Sequence, residues 1–166
     1  MLAIKNVLVA TDFSQSSEAA LAYGRAFARQ YGARLHVINA VEPIAQEMNV
    51  GGFVAAIPEL QAGLEEDARA QLEELLTQDD RQTLHATAVV VVGEAPAHAI
   101  VHYAATAHVD LIVVGTHGRR GISHLLMGSV AEKVVRTAPC SVLTVRNPVP
   151  ELIVGEAGAH LETART

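Results

Sequence analysis

The chain has little with which to brace itself covalently: one cysteine, Cys140, occurs in 166 residues, so no intrachain disulfide forms. Tryptophan is absent, and aromatic residues make up only 4% of the sequence. Because half of the residues are hydrophobic, the core must be aliphatic and rich in alanine, as when β-branched strands pack beneath helices. Positive charge is also scarce. Twelve Lys and Arg against 18 Asp and Glu give a formal charge of -6, which argues against a general nucleic-acid binder with a basic face. A local anion site is not excluded, since a few donors act well inside an acidic protein. No apolar run approaches the ~20 residues that cross a bilayer, so no membrane span is expected. The opening MLAIKNVLVATDFS has no charged leader, no long apolar stretch and no small-residue cleavage site. It reads as a first strand, and a cytoplasmic location is expected. The length suits one domain.

What is present is a regular alternation. Asn6 to Ala10 is a short aliphatic run ending in the turn-like Thr11-Asp12-Phe13-Ser14. A helix is expected from Ser16 to Tyr31, with Gly32 at its C-cap. Arg34 to Val41 is a second strand. Ile44 to Ile57 shows no clear period, and Gly51-Gly52 makes it a mobile loop. From Pro58 a long helix is expected, with Leu60, Leu64, Ala68, Leu72, Leu75 and Leu76 on one face. Strands follow at Leu84 to Val92, Val109 to Val114 and Ser141 to Val145, with helices at Ala95 to Ala107 and Ser129 to Ala138 between them. Continuous apolar strands alternating with amphipathic helices indicate an α/β fold, a parallel sheet with helices on both faces. Ligands of such sheets bind beyond the carboxyl ends of the strands, where the strand order reverses.

Two common nucleotide-handling devices are missing. No Gly-Lys-Ser/Thr occurs, and the glycines after the fourth strand are spaced Gly-x-x-Gly rather than G-x-G-x-x-G. What stands there is Gly115-Thr-His-Gly118-Arg119-Arg120-Gly121, followed at a distance by Gly128-Ser129. Glycine allows backbone amides to approach an anion closely, and a helix start favours negative charge. Arg119 and Arg120 would add charge-assisted contacts. A purely structural reading stands beside this one. Ser129-Val-Ala-Glu132 has the pattern of a capping box, in which Ser129 caps its own helix. Asp12 equally suits a cap on the turn or helix that follows it.

Gly115-x-x-Gly118, nine residues, then Gly128-Ser129 resembles the G-2x-G-9x-G-(S/T) signature of the ATP-binding members of the universal stress protein family. The segments Val-Leu-Val-Ala-Thr-Asp12-Phe-Ser, Asp110-Leu-Ile-Val-Val-Gly and Pro139-Cys-Ser-Val-Leu-Thr-Val resemble it too, and the likeness spans about residues 3 to 146. It implies one domain over residues 1–146, with 147–166 as an extension of unreadable role. The implied fold is a single-domain, open five-stranded parallel sheet of order 3-2-1-4-5, Rossmann-like and similar to the adenine nucleotide alpha-hydrolases. It implies an ATP site in which Asp12 contacts the ribose or adenosine and Val41 meets adenine through its backbone. Gly115 then approaches the ribose, Gly118, Gly128, Ser129 and the Val130 amide hold phosphates, and Arg119 adds charge. Mg²⁺ or Mn²⁺ is expected with the nucleotide, and a homodimer through the edge of the fifth strand, Ser141 to Arg146. An unidentified protein partner is a further expectation.

The loop has no acid pair and no Walker B companion, so the expected role is a nucleotide-responsive binding protein with no catalytic residues. A slow ATPase, a phosphate- or adenylyl-transferring enzyme and a dimeric module without nucleotide remain as alternatives. His98 and His102 have the four-residue spacing of a metal clamp but no third ligand, so no metal site is assigned. His117 lies inside the loop, either against a ligand or in solvent. Cys140 reads as a buried small residue.

Overall fold

The computed structural model describes residues 3–44, 57–116 and 127–146. The expected loop from Ile44 to Ile57 and the extension 147–166 fall largely or wholly outside them. Five strands are described: β1 (Asn6–Ala10), β2 (Arg34–Val41), β3 (Thr87–Val92), β4 (Leu111–Gly115) and β5 (Ser141–Val145). They form one parallel sheet in the order β3-β2-β1-β4-β5. The described helices are α1 (Gln15–Tyr31), α2 (Ile57–Leu75), α3 (Gln78–Thr83), α4 (Pro96–Thr106) and α5 (Ser129–Thr137).

Alternate residues of a strand face opposite sides of its sheet, and here both sides are covered. Val7 and Val9 of β1 join Leu35, Val37 and Val113 in a core beneath α1 and α2, closed by Leu21 and Leu72. Leu8 and Ala10 join Ile38 and Ile112 in a second core under α4 and α5, closed by Ile100 and Val134. This is why the strands read as unbroken apolar runs. Cys140 is half-buried against the second core, where burial and then the nearby Asp110 charge raise its thiol pKa. No helix of the described residues is long and apolar enough to cross a membrane.

Helix α1 is fixed at both ends. The Ser14 hydroxyl accepts from the Ser17 amide, and Gly32 closes the other end in the left-handed region at φ 63°. In its middle, a Cβ on Gly24 would overlap the Val9 side chain, so this glycine brings the helix down onto β1.

Two expectations are corrected, and one element was not expected at all. The unexpected element is the short helix α3; Thr77 and Asp80 cap it reciprocally, a capping box in a polar stretch with no apolar period. Leu84 does not begin a strand. Its amide and that of Ala86 both bond the Asp80 carbonyl, His85 turns through φ 46°, and β3 begins only at Thr87. Leu84 is apolar because it is buried in the core; its carbonyl accepts from the Leu35 amide of β2 at 3.0 Å, ahead of the strand proper. The leucine face of α2 is buried only in its second half: Ala68 and Leu72 are covered, as is Leu76 just past the helix end, whereas Leu60 and Leu64 are 53% and 42% exposed.

Candidate functional site

The order β3-β2-β1-β4-β5 reverses between β1 and β4, and at their carboxyl ends lies a cleft of about 840 Å³. Asp12, Val41, Gly115, Gly128, Ser129 and Val130 all line it, although 118 residues separate the first from the last in sequence. The fold therefore brings together six of the eight residues singled out by sequence. Gly118 and Arg119, like His117, lie outside the described residues.

The first wall is the turn that joins β1 to α1. The Asp12 carboxylate accepts from the Ser14 amide at 3.1 Å and from the Ser14 hydroxyl at 2.6 Å. Asp12 thus does shape its own turn, and Ser14, not Asp12, caps the helix. Phe13 between them sits at φ 63°, an uncommon conformation for a bulky residue, and lines the cleft. The Thr11 Oγ1 accepts from the Phe13 amide and lies 3.0 Å from the Ser17 hydroxyl.

Beneath this turn is a residue that sequence reasoning passed over. Asn39 is buried at the end of β2, lines the cleft, and donates from Nδ2 to the Thr11 carbonyl at 2.9 Å. It ties the ends of β1 and β2 together. A lone amide in the otherwise apolar second half of β2, from Val37 to Val41, was the available signal, since a buried polar group must find a partner.

The second wall is the exit of β4 and the entry of α5. Gly115 packs so closely on α1 that an added Cβ would stand 2.8 Å from both the Ser16 carbonyl oxygen and Oγ. Its missing side chain is therefore required by the fold, whatever the cleft holds. The Thr116 amide bonds the Val145 carbonyl at 2.8 Å, and its own carbonyl accepts from the Gly128 amide at 2.6 Å. That bond closes the long glycine-containing connection at its base and sets Gly115 beside Gly128.

Gly128 is the N-cap of α5, and no side chain caps this helix. The capping box expected from Ser129 and Glu132 is not formed: Ser129 is already the first helical residue, and Glu132 pairs with Arg136. The first helical bond runs from the Glu132 amide to the Gly128 carbonyl. The amides of Ser129, Val130 and Ala131 consequently have no acceptor within the helix, and all three residues line the cleft. The Gly128 amide is spent on Thr116, which removes it from the set of anion donors expected there. No Lys, Arg or His lies among the described lining residues; among these, the start of α5 supplies positive potential.

The two helical histidines do not join the cleft lining. Both are exposed, and His102 Nδ1 lies 3.7 Å from Glu94 Oε1. Among the described residues no cluster of three or more His, Cys, Asp or Glu side chains is placed to hold a metal.

An all-parallel sheet with a cleft at its switch point and an uncapped helix start facing that cleft places the chain among the Rossmann-like α/β proteins. The model of the universal stress protein family matches residues 3–146, and the chain belongs to this family. It is 37% identical over 143 residues, 86% of this chain and 98% of the other, to a Thermus aquaticus protein described as a universal stress protein in the QAH/OAS sulfhydrylase 3' region. Among solved structures, it resembles the universal stress protein UspA from Lactobacillus plantarum at 25% identity and a TM-score of 0.70, covering 88% of this chain and 100% of that one. It also resembles a universal stress protein solved in complex with cAMP, at 30% identity and a TM-score of 0.60, covering 87% and 98%.

Proposed function

We propose that the cleft binds ATP and that the protein is a nucleotide-responsive regulatory binding protein. The observation that carries this reading is the uncapped start of α5. Three amides without helical acceptors face the same cleft as Asp12 and Val41. Phosphates lie against Ser129, Val130 and Ala131, the ribose lies near Asp12 and Gly115, and the base lies toward Val41. The Gly115-x-x-Gly118 and Gly128-Ser129 spacing and the family's cAMP complex support an adenine nucleotide. Mg²⁺ or Mn²⁺ accompanies the phosphates, whose charge the cleft's described side chains do not offset. The nucleotide is held rather than turned over: the loop from Gly115 to Ser129 carries no carboxylate and no Walker B companion to activate an attacking group.

The test is to denature the purified protein, identify any released nucleotide, and follow ADP production over several turnovers, with Gly118→Val and Gly128→Val alongside. Wild type should release adenine nucleotide and the variants little, with no sustained turnover. An empty wild-type protein that also ignores added ATP refutes the binding claim, and rapid turnover lost in the variants refutes the non-enzymatic one.

The dimer belongs to the same proposal. Strand β5 pairs only with β4 among the described strands, and Val142, Leu143 and Thr144 are half-buried on this edge. Light scattering should give twice the chain mass; a monomer across micromolar concentrations would sink the pairing. The cytoplasm is the proposed location.

A further inference from the structure

One histidine lies outside the cleft and against the core. His36 of β2 stands in register with Leu8 of β1 and Thr87 of β3, on the sheet face that α4 covers. Its Nδ1 lies 2.9 Å from the Tyr103 hydroxyl of α4, and the two rings meet edge to face with centroids 5.8 Å apart. The other ring nitrogen, Nε2, is buried and meets no partner among the described residues. Both residues stand directly behind a wall of the cleft. Ile38, the next residue on this face of β2, lines the cleft, and so does Ile100, one turn before Tyr103 on α4. The His36–Tyr103 contact therefore fastens together two elements that shape the cleft.

We propose that His36 and Tyr103 form a proton-sensitive latch: uptake of a proton at His36 releases α4 from β2 and weakens the hold of the cleft on its nucleotide. This rests on the nucleotide reading above. A neutral imidazole carries one N–H, which it aims at the Tyr103 oxygen, leaving only a lone pair at Nε2. The imidazolium carries an N–H at both nitrogens, and the second is then charged and buried with no acceptor. The surroundings supply no counter-charge. β1 and β3 contain no titratable residue, and on β2 itself Arg34 shares the face of His36 and is positive. On α4, His98 and His102 are exposed, and burial raises the Tyr103 pKa, which keeps its hydroxyl neutral. Burial, and then the Arg34 charge, accordingly lower the His36 pKa below the ordinary 6.5. The closed latch is fully stabilising above pH 6.5 and is lost as pH falls through the lowered value. The ring takes up its proton by reaching water, which means parting from Tyr103.

The test is an NMR titration of the His36 ring in the full chain, without nucleotide and with saturating ATP, joined to calorimetry at about pH 7.5 and about pH 5. If the proton weakens ATP, ATP must by linkage push the His36 pKa lower still. On going to the acid condition, wild type should lose about threefold or more affinity beyond what His36→Gln loses. The glutamine amide can bond Tyr103 but does not titrate, and the comparison removes the protonation of ATP itself. His98→Gln, on the exposed side of the same helix, should behave as wild type. A ring that titrates alike with and without ATP, or a His36→Gln variant with the pH dependence of wild type, overturns the latch and leaves nucleotide binding intact. The NMR titration uses wild type alone, so it decides even where the variant folds poorly. A wild type that binds no ATP at either pH overturns both.

Discussion

Replacing Gly128 by Asp is expected to stabilise the fold while abolishing ATP binding. Gly128 has φ -68° and ψ 153°, an extended conformation open to any residue, so its glycine is not demanded by backbone geometry. It is an N-cap that lacks a capping group. An Asp there accepts from the second or third helical amide, which belong to Val130 and Ala131. Better capping and the helix dipole together contribute roughly 0.5–1 kcal/mol. The same carboxylate occupies the amides that the phosphates need and sets a negative charge against them, which should weaken ATP at least ~100-fold, about 2.7 kcal/mol. Thermal denaturation and calorimetry on one preparation read both effects. Opposite signs are the diagnostic result. A variant that binds ATP as wild type does would show that the start of α5 is not the phosphate site.

Asp80→Ala should produce the largest loss of stability. Asp80 is fully buried and receives the Arg25 guanidinium through Nε at 3.0 Å and Nη2 at 2.7 Å, while Arg25 also bonds the Leu75 carbonyl. The group joins α1, the end of α2 and the cap of α3. Breaking a buried pair from one side costs about 3–5 kcal/mol; Arg25 retains 23% exposure and is partly rehydrated, so the lower figure is expected. Burial pushes the Asp80 pKa up, but the hydrogen bonds from Arg25 and Thr77 outweigh it and hold the pKa below the ordinary carboxylate value. Its stabilisation is therefore complete above the unfolded-state pKa and is lost as pH falls through the folded one. Urea denaturation across pH 2–7 should find the variant weaker at neutral pH and less sensitive to acid. A loss below about 1 kcal/mol at pH 7 would show that the pair is solvent-screened after all.

How far the sequence could be read depended on which residues face an apolar core. β1, β2 and β5 were legible to the residue because each holds a run of aliphatic residues bounded by polar or turn-forming ones, although β5 is only half-buried along most of its length. Leu84 and Val109 were misassigned for the same reason, since a buried residue at a helix exit looks like the first residue of a strand. The six-residue α3 has no apolar period, and its only sequence signal was the spacing of Thr77 and Asp80. In the site, glycine spacing and strand ends located the cleft, but the division of labour among its residues was not legible. Gly115 is explained by its contact with Ser16, and Ser129 is not the cap its spacing suggested. Asn39 and the α2 residues Leu64 and Ala68 come from elements distant in sequence, so only the folded chain brings them to the cleft.

The central claim is that the start of α5 and the ends of β1, β2 and β4 form one adenine-nucleotide site. Calorimetric titration of nucleotide-free protein with ATP and Mg²⁺ tests it most directly. One saturable site per chain, absent in Gly128→Asp although that variant remains folded, is the predicted result. No heat of binding at millimolar ATP, or binding that Gly128→Asp leaves unchanged, would contradict it.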